Sequence, residues 1–135
     1  MNTFVKFNTV MINTNNWLYM KFRDSSILVN SFEKSSDILH TNMKREDMRK
    51  AIMEYLNNQE VSEHFVFIND CLINLDKLHD VDSIKSVHYE DTKYNRKFDY
   101  IRFHKNSTPM DLELDDPRDQ EAFIDSLYEY MSRVC

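Results

Sequence analysis

Not one of the 135 residues is glycine, and only two are proline, two cysteine and two alanine. The missing glycine removes whole classes of site, because phosphate-cradling loops, dinucleotide fingerprints and nucleophile elbows all need a backbone without a Cβ beside the ligand. Turns with positive φ then fall on asparagine or aspartate, whose short polar side chains tolerate that region best. The expected places are 13–16, Arg23-Asp24-Ser25, Asn69-Asp70, 91–96 and Lys105-Asn106. Cys71 in an apolar strand and Cys135 at the last position make no disulfide framework, and neither has a base nearby in sequence to activate it. No apolar run approaches the ~18 to 20 residues of a membrane span, and residues 1–17 lack a basic region followed by an apolar block. The expectation is a cytoplasmic protein with no membrane partner.

What is present is a packable chain. Hydrophobic residues make up 41% and charged residues 30%, a balance that fits a globular chain and not a disordered one. This length predicts a single domain over 1–135. Its organisation is set by a repeat: Phe4 to Asn13 (FVKFNTVMIN) returns sixty-one positions later as Phe65 to Asn74 (FVFINDCLIN), with five of ten pairs identical. Downstream, Met48, Ile52, Tyr55 and Leu56 superpose in order on Phe123, Leu127, Tyr130 and Met131, the i, i+4, i+7, i+8 spacing of a helix face. The chain therefore reads as α+β, two related halves at about 3–58 and 64–132, each several antiparallel strands followed by a helix.

Within the first half, strands are expected over 3–13 and 26–33 and at 37–41, with a half-buried strand over 17–23. Asn42 is placed as the N-cap of a helix over 43–57. In the second half, 64–69 and 71–74 open the unit, and 83–90 and 97–104 form a hairpin. Met110, Leu112 and Leu114 alternate towards a core. Asp116, Pro117 and Asp119 agree on the start of the last helix.

Several strands and then a helix, twice over most of the chain, resembles at the level of element order the paired strand–helix units of the Whirly single-stranded DNA-binding family. That family's lysine- and glycine-bearing strand motif has no counterpart here. A single seven-stranded sheet with a closing helix, like a pleckstrin-homology-type module, is the rival layout. The abundance of Asn, Lys, Ile, Asp and Tyr with little Ala looks like that of small proteins from AT-rich genomes, bacteriophages among them. This likeness implies a host-takeover or anti-defence accessory protein acting in the cytoplasm of a host cell.

Charge is unequally divided. Residues 1–60 hold eight basic and seven acidic groups, whereas 61–135 hold nine and sixteen. Asp111, Glu113, Asp115, Asp116, Asp119 and Glu121 form the main candidate surface, continued by Asp125 and Glu129. Such a field attracts basic partners and repels nucleic acid. It predicts a non-enzymatic interaction module, an inhibitor or modulator docking the basic surface of a host or defence protein. Carboxylates at a helix N-terminus also arise from dipole complementarity alone, at ~0.3 to 1 kcal/mol each. Charges on alternate strand residues lie ~6.6 to 6.8 Å apart, against one per ~1.7 Å along duplex DNA, so full duplex mimicry does not follow, and partial mimicry needs helix-borne acids to supply the rest.

The alternative is single-stranded nucleic-acid binding, with Lys97, Tyr100, Arg102 and Phe103 pairing phosphates and stacking bases. His40, His64, His79, His88 and His104 are scattered without ligand spacing. No metal, no cofactor and no catalytic residue is therefore expected. Repeated halves also point to a homodimer built through an edge strand.

Overall fold

The computed structural model describes residues 4–33, 36–60 and 62–134; Thr3, the first residue of the expected strand over 3–13, and Cys135 lie outside them. It is α+β, with three antiparallel sheets and three helices. The chain forms two compact units, 1–79 and 80–135, so the boundary falls inside the second expected half and not between the halves.

The first unit opens with a hairpin of β1 (Phe4–Phe7) and β2 (Val10–Asn13). Strands β3 (Tyr19–Arg23), β4 (Ser26–Asn30) and β5 (Asp37–His40) then run as an antiparallel meander. Helix α1 (Arg45–Asn58) follows, and a second hairpin, β6 (Phe65–Ile68) with β7 (Cys71–Asn74), joins the meander through β3. The sheet order is β5-β4-β3-β7-β6, while β1-β2 remains a two-stranded sheet. A short helix, α2 (Leu75–Leu78), is N-capped by Asn74, whose side chain accepts from Asp76 N.

The core of this unit gathers Val5, Phe7 and Ile12 of the first hairpin, Trp17, Met20, Phe22, Ile27 and Leu72, and Met48, Ile52 and Leu56 from one stripe of α1. Phe7 meets Phe22 edge-on at 6.1 Å between ring centres, a favourable aromatic geometry. Arg45 and Arg49, one turn apart on α1, hold the Asp70 carboxylate of the β6–β7 turn at 2.7 and 3.4 Å. Strand β3 is not half-buried as its alternation implied. Both of its edges are paired, and Tyr19, Met20, Lys21 and Phe22 are all buried. Asn42 does not cap α1 either: Lys44 occupies that position without a side-chain bond, because Thr41 Oγ1 accepts from Met43 N and delays the first helical turn.

In the second unit, β8 (Ser83–Asp91), β9 (Arg96–Lys105) and β10 (Thr108–Glu113) form a sheet in that spatial order, with helix α3 (Gln120–Val134) packed on one face. Ile101, Phe103, Met110, Leu112 and Leu114 are buried with Phe123 and Leu127 of the helix, as the alternation and the helical spacing predict. Residues 117–119 form a single 3-10 turn before the helix proper, since Asp119 N bonds Asp116 O and Asp116 Oδ1 accepts from Arg118 N. The α-helix thus starts at Gln120.

A hairpin, a three-stranded meander and a helix therefore recur in that order. The two copies do not assemble alike: the second hairpin is built into the first meander's sheet. With ten strands in three sheets among the described residues, the seven-stranded single-sheet layout is ruled out.

Candidate functional site

Unit 80–135 holds thirteen acidic and eight basic groups, net −5, whereas 1–79 holds ten and nine, net −1. Much of that excess is locally answered. Asp111 on β10 receives a two-pronged bond from Arg102 on β9, Nε to Oδ1 at 2.7 Å and Nη2 to Oδ2 at 2.9 Å, the fork geometry that guanidinium and carboxylate share. The hydrogen bond to Asp111 holds Arg102 still more firmly in its charged form. Asp116 is bound by Arg118 Nε and Nη2, and these bonds with the Arg118 backbone N–H lower its carboxyl to about 2. Glu129 pairs with Arg133 one turn along α3. The six candidate carboxylates are thus not a uniform strip: Asp111 and Asp116 are spoken for, Glu113, Asp115 and Glu121 are exposed, and Asp119 is half-buried.

Strand periodicity divides the four basic and aromatic candidates. On β9, Tyr100, Arg102 and His104 face away from α3, and Lys97, Asp99, Ile101 and Phe103 face towards it. Tyr100 and Arg102 therefore lie on one face and Lys97 and Phe103 on the other. Phe103 is fully buried and cannot stack on a base. Arg102 is committed to Asp111, and Lys97 lies 3.5 Å from Glu90. Partial burial, then the Glu113 and Asp111 carboxylates, push the Tyr100 phenol above its ordinary 10.0. On the helix side, His88 Nδ1 sits 2.6 Å from the buried carboxylate of Asp99.

Two concavities are lined wholly by described residues. In the first unit, a cleft of ≈ 320 Å³ is lined by Met11, Trp17, Val29, Ser31, Asp37 and Leu39, with Asn13 and Asn16 at its margin. Trp17 Nε1 is buried with no hydrogen-bond partner among the described residues. In the second unit, an open groove of ≈ 490 Å³ runs between β8 and the start of α3, lined by Ser86, Arg118, Gln120, Glu121, Ile124 and Asp125. Gln120 anchors the helix there, its Nε2 donating to Val87 O at 2.9 Å and Tyr100 O at 3.3 Å. Its single cation, Arg118, already serves Asp116, which leaves Glu121 and Asp125 to set the sign. Of these lining residues only the carboxylates carried a sequence signal; nothing in the local pattern marked Ser86, Gln120 or Ile124.

No family model, curated protein or solved structure matches this chain. Among the described residues no three of His, Cys, Asp and Glu gather as a metal cluster, and no helix is long and apolar enough to cross a membrane.

Proposed function

We propose that the chain works by binding another protein, taking a lysine- or arginine-bearing segment into the negative groove between β8 and α3. The observation that carries this reading is the groove's charge: Glu121 and Asp125 are exposed on one helical face, and its only arginine is neutralised by Asp116. Beside them β8 ends its sheet, offering the unpaired strand edge on which extended segments are commonly recognised. The composition shared with AT-rich phage proteins favours an inhibitor or modulator of a host or defence protein within this reading. Single-strand nucleic-acid binding draws no support from the geometry, since Lys97 and Phe103 do not share a face with Tyr100 and Arg102.

The test is fluorescence anisotropy with extended peptides carrying alternate lysines or arginines. Binding weakens with added salt and is lost in the double variant Glu121→Lys, Asp125→Lys, whose circular dichroism stays native. Equal binding by that variant rejects the proposal.

A further inference from the structure

The two copies of the ten-residue repeat fold as the same object. Each is a hairpin with a two-residue turn, in register Phe4↔Asn13 to Phe7↔Val10 and Phe65↔Asn74 to Ile68↔Cys71. Each turn begins on an asparagine with positive φ, 57° at Asn8 and 55° at Asn69. Each second strand ends on an asparagine whose Oδ1 accepts from the backbone N–H two residues on, Asn15 for Asn13 and Asp76 for Asn74. Their surroundings differ. Through Leu72 opposite Met20, β7 adds to the first strand of a meander; β2 adds to nothing among the described residues.

The ladder phases show what β2 holds ready. Closing a two-residue turn directs the N–H and C=O of Val10 and Ile12 at β1, which leaves those of Met11 pointing outward, as those of Leu72 point at β3. Met11 is 66% exposed. The counterpart of β3 in the second unit is β8, the first strand of its meander, and its outer edge pairs with no strand among the described residues. Leu114 N bonds Asp99 O, so odd residues of β9 serve β10 and even ones serve β8. That phase turns the backbone groups of Ile84, Ser86 and His88 outward.

We infer that the edge of β8 receives the β1–β2 hairpin of a second copy of this chain, β2 adding antiparallel as β7 adds to β3. Residues opposed on neighbouring strands share a face, so Met11 set against Ser86 enters the groove beside Ile124. Lys6, opposite Met11 and the only charged residue of the hairpin, follows on the face that carries Glu121 and Asp125. Two copies exchange hairpins reciprocally, which closes a twofold dimer. The inference goes beyond the proposed function and is separable from it, since the groove can bind a basic segment in a chain that never dimerises.

Light scattering across a wide concentration range tests it, with two variants that cap one edge each. Met11→Pro and Ser86→Pro remove outward N–H groups and spare the ladders to β1 and β9. The wild type has twice the single-chain mass, each variant has the single-chain mass, and an equal mixture of the two regains a two-chain species. A single-chain mass for wild type at every concentration overturns the inference, as does a doubled mass in both variants. Should either variant misfold, hydrogen exchange of the wild type decides: Met11 and Ser86 amides slow as concentration rises, and concentration-independent exchange at both overturns it.

Discussion

Asp116 and Arg118 are neighbours in sequence and on the surface, yet their contact has a measurable signature. A carboxyl lowered from 3.8 to about 2 stays charged through the range where most acids titrate. Whatever stability this pair adds is fully present above the ordinary carboxylate value and is lost as pH falls through the folded one. Carbon-detected NMR titration should place the Asp116 midpoint near the value given above, and Arg118→Gln should raise it towards the ordinary range without a full return, since the backbone N–H of residue 118 still donates to it. Asp111 behaves differently from the groove acids, because its loss strands Arg102 opposite nothing. Asp111→Lys therefore lowers the denaturant midpoint, whereas Asp125→Lys, exposed and beyond the first turn of α3, leaves it unchanged and Glu121→Lys costs only the ~0.3 to 1 kcal/mol of a first-turn carboxylate. Tyr100 should ionise above its ordinary 10.0 in a residue-resolved NMR titration, for its partial burial and the acids beside it.

Turns, strands and helices show how a chain manages without glycine. Seven described residues adopt positive φ: Asn8, Ser25, Glu60, Asn69, Asn95, Asn106 and Ser107. Three were legible, since Asn69, Asn95 and Asn106 sit in stretches singled out for their Asn and Asp content, whereas at 23–25 the positive φ falls on Ser25 and not on Asp24, and 13–16 has none. Glu60 was not, because its φ of 58° is imposed by the end of α1, where its N–H bonds Asn57 O in the manner of a glycine-closed helix. Glu60→Gly and Ser107→Gly should each stabilise by about 1 kcal/mol, read as a raised denaturant midpoint. In α3, Phe123→Ala should cost about 3–5 kcal/mol, since a fully buried ring is lost against the sheet. Alternation read the core of β10 correctly because that sheet buries one face. It misread β3, the central strand of its sheet, whose residues are buried on both faces, a fact no local pattern encodes. The acidic candidates were visible as charges, but their pairing was not: Arg102 meets Asp111 only through the β9–β10 register.

Taken together, the two proposals assign one groove two occupants, a basic segment and the hairpin of a second copy. Competition follows directly. Met11→Pro, which withdraws the hairpin, should bind lysine-bearing peptides more tightly than wild type at concentrations where wild type is dimeric, and anisotropy measures the difference. Dilution of wild type should produce the same gain. Reading the repeat as two matching halves packed together did not place the second hairpin in the first meander's sheet, because sequence similarity reports what an element is and not which sheet receives it.

Six of the seven strand pairings join chain neighbours; only β3 with β7 spans a long loop, Lys21 opposite Cys71. Short-range pairings form quickly, whereas closure of such a loop costs chain entropy before any contact rewards it. Refolding should therefore wait on one late event, slowed when Leu72 is truncated and indifferent to Ile38 on the far edge. On the ribosome, the edge of β3 stays uncovered until β7 has emerged, so nascent chains stalled between those points are the species in most need of a chaperone.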